Sequence, residues 1–273
     1  MARIASLHIY PVKSCRGIDL AKARLTPTGL EWDRRWMIVD GKGKFVTQRT
    51  HPRLTTISTA ITDGRLELSA AGRPALVVDP RAGGTAHPVQ VWGDHCSGLD
   101  VGDEAASWLA HVLGARFRLL RINDMVPRLA DPGYAGTRPQ PVSFTDGYPV
   151  LLTSIESLAE LNQRLPAPIP MNRFRPNVVI EGVEAYAEDA MVAFRSGAVA
   201  LRGVKHCTRC INTTTDQFDG TRDAGSEPLK TLKTYRYDKV LRGVAFGQNC
   251  VVAEGVGELL SVGAPLSLEA HQV

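Results

Sequence analysis

Asp40-Gly41-Lys42-Gly43 splits the segment RRWMIVDGKGKFVTQ into two short apolar runs. Glycine accepts the positive φ that tight hairpin turns require, so the segment predicts a pair of antiparallel strands. The pattern recurs through the first half. RIASLHIYPV, RLELSAAGRPALVVDP and HPVQVWGD are short strand-like runs bounded by turn residues. Many short strands with glycine turns predict a barrel or a sandwich.

Helices are few. Asp103 can cap one that runs through EAASWLAHVLG to Gly114. Thr153 and Glu156 have capping-box spacing ahead of an apolar stripe at Leu158, Leu161 and Leu165. EPLKTLKTYR predicts a third, short helix, and FGQNCVVAEG and PLSLEA predict closing strands. Between Met125 and Pro149, Pro127, Pro132, Gly133, Gly136, Pro139, Pro141 and Gly147 crowd together. Such a segment is a linker or a long functional loop. The expected fold class is therefore mainly β with some helices (α+β), divided into residues 1–124 and 125–273.

The chain has 273 residues, 44% of them hydrophobic. That length buries roughly three quarters of the surface its unfolded form would expose. No apolar run approaches the ~20 residues of a membrane-spanning helix. The N-terminus turns polar at Lys13 and shows no cleavage pattern of small residues, so the expectation is a cytoplasmic protein without a membrane association. Cys15, Cys96, Cys207, Cys210 and Cys250 are odd in number and unevenly spaced, which suits a reducing compartment. The net charge of +4 contains no long Lys/Arg block, so no nucleic-acid partner is expected. The surplus cations suit a small anion such as a phosphate.

VKHCTRCINTTTD (204–216) places Cys207 and Cys210 three residues apart. Side chains three apart on a strand point to opposite faces. The run Ile211–Thr215 is β-prone. If the strand reaches back to Cys207, one thiol works and the other packs; if the segment is a turn, both thiols are able to face one site. Structural zinc needs four ligands where this pair supplies two. A thioredoxin-like pair needs a helix after the motif. Two buried, inert cysteines are the plainest alternative. Against inertness stand Lys205, Arg209 and His206, whose charge would favour a thiolate, a soft ligand for a transition metal.

Three other stretches carry chemistry. YPVKSCRG combines Lys13, Ser14 and Arg16 at a strand end, a set suited to a phosphate or a solvated turn. WDRRW sets two arginines between two tryptophans, suiting either a buried anion or an ordinary in-and-out strand. RFRPN sets Arg173 and Arg175 beside a proline that holds the backbone extended. Walker, G-x-G-x-x-G and G-x-S-x-G motifs are missing, and so is a plant-type iron–sulfur spacing; no iron–sulfur cluster is expected in this chain.

In order, YPVKSCRG, DRRWMIVD, FTDGYPVLL, FRPNVVIEG, CTRCINTTTD, EPLKTLKTYR and FGQN closely resemble the MOSC family, in its two-part form. The likeness runs from Ile4 to about Leu268. It implies an N-terminal MOSC β-barrel domain (1–124), a MOSC domain (125–273), and a molybdenum cofactor, a molybdopterin, between them. It implies that the second cysteine of the pair, Cys210, ligates molybdenum. It also implies that Lys13, Ser14 and Arg34 hold the pterin and its phosphate. Thr145, Asp146, Arg175, Asn177, Thr208, Arg209 and Asn249 would complete the pocket.

The implied activity is reduction of N-hydroxylated compounds: hydroxylamines, N-hydroxylated bases and amidoximes. Some relatives carry a C-terminal ferredoxin domain; none is expected in this chain. Electrons are therefore expected from a separate protein: a ferredoxin, a cytochrome b5-like protein or a flavin reductase. The alternatives are a carrier of the molybdenum cofactor and a sulfur-transfer protein with a persulfide on Cys210.

Overall fold

The computed structural model describes residues 1–81 and 83–270; residues 271–273, at the end of the expected second part, lie outside the described residues. The short turn-bounded runs form strands as expected, and they assemble into mainly β architecture with few helices.

The largest sheet has strand order Ile18–Leu20, Arg3–Ile9, Val178–Glu181, Val150–Ser154, Gly243–Glu254, Val199–Thr208, Met191–Ser196, Ser267–Ala270. All neighbours pair antiparallel except Val150–Ser154 with Val178–Glu181, which run parallel. The helix Ile155–Arg164 makes that crossover, as a parallel pair requires. In Arg3–Ile9 a bulge between Ile4 and Ser6 resets the alternation. Ile4, Leu7 and Ile9 therefore all reach one core, with Leu25, Leu152, Ile180, Leu201 and Val252.

A second assembly is a closed ring. Trp36–Val39, Arg118–Ile122, Asp94–Asp100 and Ala86–Val91 pair in that order. Bridges Val39–Phe45 and Lys44–Gln90 bring the last strand back to the first through residues 44–45. The predicted DGKG turn makes this possible: the Asp40 carboxylate accepts from the Lys42 and Lys44 amides, and Gly43 takes φ 74°. Met37, Val39, Val91, Leu120 and Phe144 fill the ring. The helix Asp103–Leu113 buries Ala105 and Leu109 against Trp36, Ile38 and Leu119 outside it.

Three local expectations are corrected. The first helix has Gly102 at its cap, and Asp103, its first residue, ion-pairs with Arg118 at 2.7 Å. The helix Ile155–Arg164 is capped by Ser154, whose Oγ accepts from Ser157 N at 3.1 Å; Thr153 is the last-but-one residue of the preceding strand. Glu156 accepts from Gly182 N instead of closing a capping box. Ile211–Thr214 is a 3-10 turn, not a strand. The hydroxyls of Thr213 and Thr214 bond back to the carbonyls of Cys210 (3.0 Å) and Ile211 (2.8 Å), and such local bonds compete with a sheet ladder. No described helix is long and apolar enough to cross a membrane.

The largest sheet draws strands from both sides of the boundary expected between 124 and 125. Lys22–Thr26 likewise pairs with Leu259–Ser261. We propose that this boundary divides architecture and not folding. Ile4, Leu7, Ile9 and Leu25 are at most 1% exposed. Each contributes roughly 1.5–3 kcal/mol by burial, a sum comparable with the whole stability of a typical domain, about 5–15 kcal/mol. A fragment spanning 125–273 is expected to lack a cooperative unfolding transition in circular dichroism. A cooperative transition in that fragment would show two independent folding units.

Candidate functional site

The exit of Arg3–Ile9 lies beside the entrances of Val178–Glu181 and Val150–Ser154, because the first pair is antiparallel and the second parallel. Each strand end carries one of the predicted motifs. Further along the sheet, Leu151, Asn249 and Lys205 stand abreast on neighbouring strands. Together these segments line a cavity of about 710 Å³. Lys13, Ser14, Arg34, Thr145, Asp146, Arg175, Asn177, Thr208, Arg209, Cys210 and Asn249 all line it.

The Lys13 side chain is buried, with Nζ donating to Phe144 O (2.8 Å) and Asp146 Oδ1 (2.6 Å). Burial pushes the Lys13 ammonium below its ordinary pKa, and Asp146 works against that. The surrounding protein alone would raise the Asp146 carboxyl. The Lys13 ammonium and the Trp92 indole N–H (3.0 Å) more than offset this and hold it well below the usual carboxylate range. Its side chain is still 68% exposed, so Asp146 presents a carboxylate at the surface of the cavity.

Ser14, Arg34 and Arg175 have φ of 71°, 47° and 55°, so Arg175 is left-handed where the proline after it predicts an extended backbone. Left-handed backbone is costly for such residues and clusters at functional sites. Here it is held by specific bonds. Asp33, whose carboxylate is wholly buried, accepts from Tyr10 N (2.8 Å) and pairs with Arg34 at 2.6 Å. Arg34 also donates to Asn177 Oδ1 (3.1 Å) and Arg175 O (3.1 Å). Asn177 Oδ1 also accepts from Leu151 N, and its Nδ2 donates to His8 O. The Tyr10 ring lies 4.3 Å from the Arg34 guanidinium and 4.1 Å from that of Arg175. Burial pushes the Tyr10 phenol up to about 12, so the ring carries no charge of its own.

Arg175 is the least compensated group. Its Nη1 donates to two neutral oxygens, Cys15 O (2.8 Å) and Gln217 Oε1 (3.0 Å), while Nη2 is buried without an acceptor. Burial, and then the charge of Arg34, bring its pKa down to about 10, which still leaves it cationic at neutral pH. Arg173 Nε and Arg209 Nε are also buried without acceptors, and Thr145 Oγ1 has no partner. Buried donors are normally satisfied, so unpaired ones on a cavity wall call for a polar ligand. The donor set fits a phosphate-bearing group.

The strand Val199–Thr208 ends just before the cysteine pair is complete, so Cys207 is in the sheet and Cys210 starts the 3-10 turn. Both residues line the cavity. Cys207 Sγ accepts from Arg209 Nη1 at 2.8 Å, whereas Cys210 Sγ has no hydrogen-bond partner among the described residues. The Arg209 amide is spent on Val244 O (2.7 Å) and its Nη2 on Phe174 O (2.6 Å). Among the described residues no three His, Cys, Asp or Glu side chains gather at one point, so any metal held by Cys210 needs ligands beyond such side chains.

Sequence reasoning passed over Arg128, whose side chain is 2% exposed. It donates to the carbonyls of Ser143 (3.2 Å), Thr145 (2.6 Å) and Asp146 (3.0 Å) and pairs with Asp94. It thereby shapes the loop that presents Thr145 and Asp146. It also passed over Trp92, at φ 57° in a turn, with Arg49 stacked 4.1 Å from its ring. The only local signal for either was an arginine or tryptophan beside a glycine- or proline-rich stretch.

Residues 1–116 match the family model of the MOSC N-terminal beta barrel domain, and residues 139–267 match that of the MOSC domain. Mitochondrial amidoxime-reducing component 1 of Mus musculus is 38% identical, over 85% of this chain and 71% of the relative. The Homo sapiens component 1 is 37% identical, over 97% of this chain and 82% of the relative. Component 2 of Bos taurus is 36% identical, over 85% and 72%. With these two domain models covering most of its length, and with relatives above 30% identical matched over more than two thirds of their own length, the chain belongs to the MOSC family, among the proteins related to the mitochondrial amidoxime-reducing components.

Proposed function

We propose that this chain binds a molybdenum–molybdopterin cofactor and reduces N-hydroxylated compounds in the cytoplasm, with electrons from a separate carrier protein. One observation carries this: Arg175, partly buried, with no carboxylate partner and with its Nη2 lacking an acceptor, shares a cavity with the thiol of Cys210. When bound, the molybdenum centre would supply two-electron reduction of an N–O bond, in which two electrons from the carrier and two protons convert N–OH to N–H and release the oxygen as water. Amidoximes, named for the relatives, are the first substrates to try, with hydroxylamines and N-hydroxylated bases beside them. A ferredoxin, a cytochrome b5-like protein or a flavin reductase would bring the electrons.

In this proposal each residue has a plain task. Cys210 ligates the metal through its sulfur. Lys13, Ser14, Arg34 and Arg175 hold the phosphate and pterin by charge-assisted hydrogen bonds. Thr145, Asp146, Thr208, Arg209 and Asn249 line the remaining wall. Asn177 holds Arg34 in its left-handed turn. Cys207 anchors Arg209 and leaves Cys210 as the free ligand.

Two outcomes are expected from protein made in a host that supplies the cofactor. Wild type should contain near-stoichiometric molybdenum and oxidisable pterin. Cys210→Ala should lose the metal, while Cys207→Ala should keep it. Absence of both metal and pterin from wild type would overturn the proposal. Loaded wild type should reduce benzamidoxime with a chemically reduced viologen as donor. A loaded but inert protein would favour a cofactor carrier.

The Lys13–Asp146 pair gives a further expectation. The Asp146 pKa is lowered in the folded protein. Its stabilising contribution is therefore complete above the unfolded value, about 4, and is lost as pH falls through the lower folded value. Denaturant unfolding of wild type and Asp146→Asn should show a constant stability gap from pH 7 to about pH 5, narrowing below about pH 4. A gap that is unchanged at pH 3 would mean that the ion pair contributes nothing.

A further inference from the structure

Gln48 and Gln217 lie 169 positions apart and are both buried, at 0% and 5% exposure. Their amides exchange two hydrogen bonds, of 3.0 and 3.1 Å. Gln48 Nε2 donates its second hydrogen to Ser14 O (2.8 Å), and Gln217 Nε2 donates its second to Thr215 O (3.0 Å). Gln217 Oε1 also accepts from Arg175 Nη1 (3.0 Å).

The direction of every bond in this network follows from one group. A guanidinium only donates, so the atom of Gln217 that faces Arg175 must be oxygen. Its nitrogen then faces Gln48, which must answer with oxygen, and the Gln48 nitrogen is turned to the Ser14 carbonyl. All four amide hydrogens are used. Arg175 is thereby tied to Ser14, which has φ 71°, across the two halves of the chain.

The partner at 217 is also neutral. A carboxylate in the same place would make a stronger bond to Arg175 and would cancel its charge. The amide holds the guanidinium in place and leaves its charge for whatever occupies the cavity. We propose that Gln48 and Gln217 are positioning residues that set Arg175 and Ser14 around a phosphate and keep Arg175 uncompensated. This rests on the phosphate-bearing cofactor proposed above, whose anion is the ligand concerned.

The test is Gln217→Glu, nearly isosteric, beside Gln48→Glu, which puts the new charge one bond further along the network. The probe is inorganic pyrophosphate bound to cofactor-free protein, followed by calorimetry at two salt concentrations, with pterin content measured on protein made in the cofactor-supplying host. Gln217→Glu should weaken pyrophosphate binding at least about tenfold, the effect of opposing one charge in a partly buried site, and should lower pterin content. Gln48→Glu should have a smaller effect. Thermal midpoints and near-ultraviolet circular dichroism separate a charge effect from unfolding.

Should Gln217→Glu fail to fold, the comparison passes to Gln217→Met, which removes the bonds but adds no charge. It should weaken pyrophosphate binding by misplacing Arg175 while the thermal transition persists. Wild-type affinity in a folded Gln217→Glu, or equal losses in both Glu variants, would overturn the inference while leaving the cofactor proposal standing. Wild type that binds neither pyrophosphate nor pterin would overturn both together.

Discussion

A partly buried guanidinium without a carboxylate is expensive, and the site is organised around tolerating one. Arg175 is held by two neutral oxygens, by the face of Tyr10, and by a backbone in the left-handed region. Removing the charge of an ion from water costs several kcal/mol when nothing opposes it. Proteins keep such a group where a ligand completes it. Asp33 meets part of the local excess by pairing with Arg34, and burial raises the Asp33 pKa in spite of that partner. Asp146 meets another part by pairing with Lys13. Neither makes a hydrogen bond or ion pair with Arg175, and the surplus that remains sits on the wall of the cavity.

That surplus depends on strand pairing for its geometry. Antiparallel pairing of Arg3–Ile9 with Val178–Glu181 puts Tyr10 to Ser14 beside Arg173 to Asn177, although more than 150 residues separate them. His8 N donates to Asn177 O at 2.9 Å and so sets the register at this junction. Arg128 does the corresponding work for the loop before Val150–Ser154. A single buried side chain satisfies three carbonyls there, and the loop keeps one shape without regular secondary structure. The proline- and glycine-rich stretch that reads as a linker or a long functional loop in sequence contributes a wall of the cavity.

The local motifs were legible in uneven ways. Glycine at Gly114 ends its helix with φ 75°, as its position foretells. The cap at Ser154 was hidden because Thr153 and Ser154 are chemically alike, and the sheet pairing that runs on through Ser154 opposite Ile180 puts the helix start one residue later than expected. The threonine run after Cys210 has β propensity throughout. Its hydroxyls found i−3 carbonyls before they found a neighbouring strand, and a 3-10 turn resulted. The turn changes the meaning of the cysteine spacing. Opposite faces of a strand no longer separate the two thiols; what separates them is that Arg209 occupies Cys207.

By itself the sequence determined the class of the fold and pointed to a set of residues that the fold brings to one cavity. Strand periodicity, turn glycines and proline are local properties of the backbone, and they survive without tertiary context. The order of the motifs resembled a family closely enough to point to eleven of the residues that line the cavity. Tertiary structure alone decided which charges stay uncompensated, because ion pairing depends on distances between residues far apart in the chain. It also decided that Gln48 and Gln217, unremarkable in sequence, meet in the interior. Two amides with every hydrogen engaged, and a guanidinium that has no anion of its own, exist only once the two halves of the chain share a sheet.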